Sequence, residues 1–588
     1  MRKGRKVLAL LAMAAITAGA LAGCGSGAAA DTGSSASVNG SSAAGTETAE
    51  AAEGGHVLNI AKLAALQACD PHKVNDPMSN ELLTAVFDGL YTLDENGALD
   101  PLMAESYEIS EDGLTYTFHL REAYWSNGEP VTANDFAFSW KRLVDPATAA
   151  KNSNEAVAVG IKNAKAIVDG EMDPEQLGVT VIDDKTLQVE LEAIVPYFLK
   201  TLVRPAFLPI NQAYFESAGE DYGMKPEATI YNGPYTWTYW DYATNIRATK
   251  NPDYWNADNI DINQLNWQIV TDSQTGALMF ENGELDFVEI SGALINNYAG
   301  SPAFTKALEV HMWYIYPNFE NEVLANVNIR RALATSINKD AIAKTVLNNG
   351  SQAANYLVGY NLCFAPDEKT QMRDTNGDHF LAYDMEAAKQ SWQKGLEELG
   401  KDSVTLRLMY YNNNDASIAQ AEYIASQWQQ TLPGLKIELY SYPSSSALTY
   451  AQSGDFDLFL FRWGPDYKDP MAFLELLGRK NEHNYGRYDG KEFNDIIDAA
   501  STAEMLKNPQ ARWDSLAEAE KILLDEDVAV FPTVQNGLAM LINPKVHGLE
   551  VTDYTDLHRL NFNEFSHSII CVICGGITSI RSKLRTLS

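Results

Sequence analysis

Covalent chemistry needs reactive side chains at workable spacings, and this sequence offers few. Cys571 and Cys574 have a CxxC spacing, but they lack a second pair or nearby histidines and sit in an apolar run, which argues against a zinc or redox site. The nine histidines are scattered, and no GxxxxGK phosphate cradle, GxSxG elbow or HExxH zinc helix occurs. Asp374-Thr375-Asn376-Gly377-Asp378 begins as a calcium loop would, with oxygen ligands at alternate positions. It then fails, because His379 stands where Gly is needed and Met385 where the twelfth residue should be Glu; an acidic surface turn is the better reading. A glycosidase pair could hide among the 78 acidic residues, but nothing singles out two of them. Cys69 and Cys363 could be bridged in an oxidising compartment, and their separation decides nothing. What remains is non-covalent chemistry, with no cofactor and no metal expected.

The elements available to position a binding site are mixed α and β. Leu114, Tyr116, Phe118 and Leu120 alternate with polar residues after Glu111-Asp112-Gly113, which reads as a strand leaving a turn. Val179 and Val181, the turn Asp183-Asp184-Lys185, then Leu187, Val189 and Leu191 read as a hairpin. Further on the period changes to that of a helix. Asp384 is placed as an N-cap, Met385, Ala388, Trp392, Leu396 and Leu399 share one face, and Gly400 is the stop. Val404 to Tyr410 predicts a strand, Ile418 to Leu432 a helix, Leu435 to Leu439 a strand, and Phe456 to Phe461 a further apolar run. This order predicts an α/β lobe with a partly parallel sheet.

The N-terminus carries an address. Arg2, Lys3, Arg5 and Lys6 precede an apolar run from Val7 to Leu21, which is the layout of a secretory signal. Its end, Leu21-Ala22-Gly23-Cys24, resembles a bacterial lipobox. That resemblance implies lipid on Cys24 and a chain tethered outside the cytoplasmic membrane; a plain secretory signal with an incidental cysteine is the alternative. Residues 25–55 are nearly all Gly, Ala, Ser, Thr and a few acids, a composition that cannot offset the entropy of ordering, so a flexible stalk is expected. The folded body starts near His56. It is too long for one simple core. No later segment holds the roughly 18 apolar residues needed to cross a bilayer. A formal charge of −34 argues against nucleic acid or an anionic membrane surface as partner.

A series of aromatic, Gly and Asn segments is more specific. Tyr124-Trp125-Ser126-Asn127-Gly128-Glu129-Pro130-Val131-Thr132-Ala133-Asn134-Asp135-Phe136, continuing to Ser139-Trp140-Lys141-Arg142 and Asp145-Pro146, closely resembles the signature of the oligopeptide-binding proteins of ABC importers. Six further segments resemble the same family in order. They are Asp70-Pro71-His72-Lys73, Phe87-Asp88-Gly89-Leu90, Asn232-Gly233-Pro234-Tyr235, Asn251-Pro252-Asp253-Tyr254-Trp255, Asn282-Gly283-Glu284-Leu285-Asp286 and Asn328-Ile329-Arg330-Arg331-Ala332-Leu333. Trp463-Gly464-Pro465-Asp466-Tyr467-Lys468-Asp469-Pro470 completes the match, which spans about residues 56–565.

The resemblance implies a two-lobed periplasmic-binding-protein-like fold with a hinge and an inserted α+β domain. Domain I would comprise 56–87, 210–316 and 530–565, the inserted domain 88–209 and domain III 317–529, after a signal peptide of 1–23 and a lipidated stalk of 24–55. Two crossings between domains I and III would act as the hinge. A cleft taking varied peptides must bind what all peptides share. Pairing the ligand as an extra strand suits its backbone, each main-chain hydrogen bond netting about 0.5–1.5 kcal/mol. An α-ammonium needs a carboxylate, because burying it unpaired is costly.

By position in the family motif, Asp466 takes the ammonium, Arg462, Trp463 and Gly464 pair with the peptide backbone, and Asn75-Asp76-Pro77 form the opposing loop. Asn232 and Gly233 join the ligand-binding set. Without the motif Asp466 would read as a turn-capping residue and Trp463 as core. Two departures bear on the transfer. Pro77 has no N–H to donate, and Leu460 and Asn152 stand where better-known members carry an arginine and a tyrosine, which favours a site that lets longer peptides protrude.

The expected function is an extracellular lipoprotein, in a Gram-positive bacterium, that captures oligopeptides as a monomer and delivers them to the permease subunits of an ABC transporter. A receptor for a nickel chelate, sugar or signalling peptide on the same fold is the alternative, and a secreted hydrolase a more distant one. The extension at 566–588, with Arg581, Lys583 and Arg585, lies beyond the family's usual end and reads as a disordered appendage or a reading-frame artefact, with a second membrane contact, too short to span, as the alternative.

Overall fold

The computed structural model describes residues 56–62, 68–74, 77–93, 98–241, 244–367, 369–465 and 467–546. Cys24, the stalk, Asn75, Asp76, Asp466 and the 566–588 extension with Cys571 and Cys574 lie outside the described residues.

From the N-terminal side, β1 (His56–Lys62) is followed by a ribbon of β2 (Tyr91–Leu93) and β3 (Leu99–Pro101). Then come β4 (Ala104–Ile109), β5 (Thr115–Leu120), β6 (Val179–Asp183) and β7 (Thr186–Glu190), an antiparallel sheet in the order β4-β5-β7-β6. The large sheet adds β8 (Tyr235–Asp241), β9 (Asn245–Lys250), β10 (Ile262–Ile269), β11 (Phe287–Ile290), β12 (Phe304–Pro317), β13 (Gln352–Ala353), β14 (Val404–Tyr411), β15 (Leu435–Tyr442), β16 (Leu458–Trp463) and β17 (Phe531–Ile542). Its order is β15-β14-β16-β12-β17-β11-β1-β10-β9-β8, with β13 on β17. β14 runs parallel to both β15 and β16, as the strand-helix-strand order predicts.

Local chemistry accounts for the elements. The expected hairpin pairs Val181 with Leu187, and β5 buries Tyr116, Phe118 and Leu120 on one face. Asp384 caps the helix Met385–Leu399 by accepting from the N–H groups of Glu386 and Ala387 at 3.1 and 3.0 Å, and Gly400 closes it at φ 64°. The next helix starts earlier than apolar periodicity predicts, at Asp415, because Asn414 caps it through the N–H of Ser417 at 2.9 Å. The would-be calcium loop is the end of a short helix, Met372–Asn376, in which Asp374 accepts from the N–H of Gln371. Asp378 accepts from that of Asn355.

Two large cores hang on this sheet. The first combines Leu58 and Ile60 of β1, Trp237 of β8 and Trp267 of β10 with Phe118, Trp125, Phe136 and Trp140 of segment 88–209. The second contains Met312 to Tyr316 of β12, Leu406 and Leu408 of β14, Trp428, and Phe459 and Phe461 of β16. β12 and β17 run through both. Phe304 to Leu308 pair with Leu541 to Gly537 beside β11, and Met312 to Ile315 pair with Gln535 to Phe531 beside β16. Between these blocks Glu309, Val310 and His311 stand against Asn536 alone. Such an unequal count bends and twists a ladder locally, so the two lobes join through a bulged ribbon.

Candidate functional site

β16 delivers Arg462 and Trp463 to this bulge. Its ladder with β12 ends at the pair Met312 and Trp463, so the chain leaves the sheet at Gly464. Trp463 is half-buried, donates its indole N–H to the Ala472 carbonyl at 3.0 Å and lies beside His483, with ring centroids 5.1 Å apart. One end of the indole is thus committed to the fold. Gly464 meets the His311 ring so closely that a Cβ at this position would lie 2.3 Å from Nε2; no other residue type permits that approach.

Polar groups from β12 and β17 gather at the same place. Glu309 Oε2 lies 3.7 Å from His311 Nδ1, 3.7 Å from Arg462 Nη2 and in hydrogen-bond contact with Asn536 Nδ2. Trp313 Nε1 donates to Asn536 Oδ1 at 3.0 Å. Gln535, fully buried, donates to the Glu309 and Tyr360 carbonyls at 2.7 and 3.0 Å, and its Oε1 accepts from the Tyr360 N–H and the Tyr356 hydroxyl. The bond to the Glu309 carbonyl satisfies a backbone acceptor at the register break. Glu309, His311, Gln535 and Asn536 escaped the sequence reading. Their signal is there, as polar residues interrupting the apolar runs Leu308–Pro317 and Val528–Ile542.

Of the other expected site residues, the described ones are Pro77, Asn232 and Gly233. Pro77 opens the helix Pro77–Thr84, where a residue without an N–H is well suited, since that donor would have no helical partner. Glu81 of this helix forms a buried ion pair with Lys62 at the end of β1, 2.6 Å long, which fixes the helix to the sheet. Asn232 and Gly233 make close contacts within the fold. The Asn232 amide is 1 % exposed and is consumed by the backbone of Asp88, accepting from its N–H at 3.1 Å and donating to its carbonyl at 2.9 Å. A Cβ on Gly233 would lie 2.5 Å from the Val86 carbonyl carbon. Asp88 in turn accepts from the Tyr254 hydroxyl and the Trp255 indole at 2.8 and 3.1 Å. Three of the family-like motifs therefore form one structural knot. Leu460 is fully buried in the second core, and Asn152 donates to the Pro71 carbonyl at 2.9 Å.

Among the described residues, two cysteines and one serine–histidine contact are enclosed in the cores. Cys69 and Cys363 are both free and buried in different cores. Burial pushes the Cys69 thiol up, while the Trp237 indole N–H contacts its sulfur at 3.1 Å. Ser139 Oγ lies 3.4 Å from His72 Nε2, a contact that superficially suits nucleophilic catalysis. The hydroxyl donates to the Leu208 carbonyl at 2.6 Å, and His72 Nδ1 faces Arg142 Nη1 at 2.7 Å. Burial and the Arg142 guanidinium push His72 down to about 3. A general base oriented by a carboxylate needs the opposite environment. Among the described residues no group of three or more His, Cys, Asp or Glu could hold a metal ion.

Comparison with known proteins agrees with this architecture. The family of bacterial extracellular solute-binding proteins, family 5, in its middle region, matches residues 98–485. A dipeptide-binding protein of Lactococcus lactis subsp. cremoris is 32% identical over 496 residues, covering 81% of this chain and 88% of its own. The structure of Listeria monocytogenes OppA bound to peptide superposes with TM-score 0.68 at 33% identity, over 86% of this chain and 99% of that one. The substrate-binding domain of an oligopeptide ABC transporter from Bacillus anthracis reaches TM-score 0.71 at 32% identity, over 87% and 98%. Both neighbours cover nearly their full length, so the likeness extends to both lobes. The chain belongs to the bacterial extracellular solute-binding proteins of family 5.

Proposed function

We propose that this protein captures oligopeptides between its two lobes and hands them to the permease of an ABC importer, with no covalent chemistry of its own. One observation carries the reading: β16 ends with Arg462 and Trp463, and the chain leaves the sheet at Gly464, beside the bulged ribbon that connects the two cores. A strand end at a bend between two bodies offers backbone for pairing an extended peptide and closes over it when the bodies move together. Asp466 serves as the ammonium partner, with Asn75-Asp76 on the opposing side. The domain boundaries expected near 87/88, 209/210, 316/317 and 529/530 go with this reading. Lipid on Cys24 holds the monomeric receptor on the outer face of a Gram-positive cell membrane. Calorimetry against a library of two- to ten-residue peptides tests the proposal: heat of binding at some length is expected, and silence at every length refutes it.

A further inference from the structure

A ring stack joins the two lobes away from the ribbon. Of the residues packed against the second core, Tyr197 comes from segment 88–209, whose own side chains belong to the first core. Its ring stacks on that of Tyr467, with centroids 4.0 Å apart and planes 19° from parallel. Both partners are braced from behind. Tyr467 donates its hydroxyl to Glu475 Oε1 at 2.6 Å, and two residues on, Asp469 forms a two-pronged pair with Arg512 at 2.6 and 2.9 Å. Tyr197 precedes the helix Phe198–Thr201, where Phe198 is fully buried against Tyr116 at 4.7 Å. Lys200 is within electrostatic reach of Cys363, and Asp112 of Lys507, so charged groups of the two lobes also come near each other.

We infer that the Tyr197 and Tyr467 stack is a latch that forms when the lobes close and slows release of whatever lies between them. Segment 88–209 shares its core with the first lobe, and Asp70, His72 and Arg142 bolt the two together. Tyr197 therefore moves with the first lobe and Tyr467 with the second. A contact between bodies that separate on opening exists in the closed state alone, so its whole free energy shifts the closure equilibrium. Tyr467 also follows Asp466 directly in sequence. The latch thus closes at the loop to which the peptide ammonium is assigned, and in this respect the inference rests on the proposed function.

The test uses the intact chain, its Tyr197→Ala and Tyr197→Phe variants, and nitroxide labels at the exposed positions Asp173 and Glu492. Stacked aromatic pairs set the scale, about two- to tenfold in an equilibrium constant. Tyr197→Ala is expected to lower the closed fraction, read by pulsed electron resonance, and to speed dissociation of retained library peptides about two- to tenfold with the association rate unchanged. Tyr197→Phe keeps the ring but loses the hydroxyl that also bonds to Tyr467, and is expected to fall between the wild type and the Ala variant in both. An unchanged closed fraction and release rate in Tyr197→Ala overturns the latch, as does a Phe variant as fast as the Ala variant. Should the wild type retain no peptide at all, the functional proposal fails, while the label distances of the empty protein still decide the latch.

Discussion

Gly464 is the residue at which sequence and packing constrain each other most tightly. A methyl group there would collide with His311 and push it against Glu309, disturbing the contacts among Glu309, Arg462 and Asn536. Overpacking of this kind costs about 1–3 kcal/mol. Gly464→Ala should lower the denaturant midpoint accordingly and weaken peptide binding, both read on the same sample; a variant as stable and as tight as the parent would show that the ring simply swings away. Asp466→Asn addresses the ligand itself. It removes the charge that pairs with an ammonium while keeping the side-chain shape, so free-amine peptides should weaken much more than N-acetylated ones, and equal losses would contradict the role. The residues nearest the bulge were legible in unequal measure. Arg462, Trp463 and Gly464 stood in a motif, whereas Glu309 and His311 acquire meaning only once β12 slips out of register with β17, and register between strands more than 200 residues apart is not written in local pattern. Asn232 and Gly233 are legible in another way: an Asn-Gly pair signals a demanding backbone position, and the close approach of Val86 and Asp88 is such a demand.

At the scale of elements, the helix Ala133–Val144 shows how segment 88–209 is fastened. Its Arg142 grips Asp70 through both guanidinium nitrogens at 2.9 and 2.7 Å and presses on His72. The ordinary histidine value is 6.5, and the folded state holds His72 at about 3. Between those values the unfolded chain binds a proton that the folded chain refuses. Stability is therefore lost as pH falls from about 6.5 toward 3, by up to about 1.4 kcal/mol per pH unit for one such group. Asp135 acts in the opposite sense, since burial raises it from 3.8 to about 6, and its folded form gains a proton first. Comparing wild type with His72→Gln isolates the imidazole: the wild-type advantage measured by urea unfolding should shrink as pH drops from 6.5 to 4, and a constant difference would disprove the linkage. Most elements were readable because local chemistry and burial agree in them. The cap at Asp384, the stop at Gly400 and the alternation in β5 are examples. What lay hidden was the pairing of β12 with β17, joined by no short turn and no periodicity.

For the whole molecule, placement matters as much as binding. Lipid on Cys24 with a stalk at 25–55 would hold the receptor at high effective concentration beside its permease, so that anchoring rather than tight docking supplies the encounter. Cys24→Ala should then yield a released protein that binds peptide with unchanged affinity but supports uptake poorly, and undiminished uptake by the free form would count against this account. The central ribbon has a further consequence, for the order in which the molecule can come into being. β17 lies in the middle of the large sheet and contributes to both large cores, with Phe531 and Val534 in the second and Met540 in the first, yet it is the last of the described strands along the chain. Contacts so distant in sequence form slowly. A nascent chain that has not yet produced residues 531–542 can complete neither core. Closure of both cores therefore waits until residues 531–542 have been made, whichever other elements have formed by then.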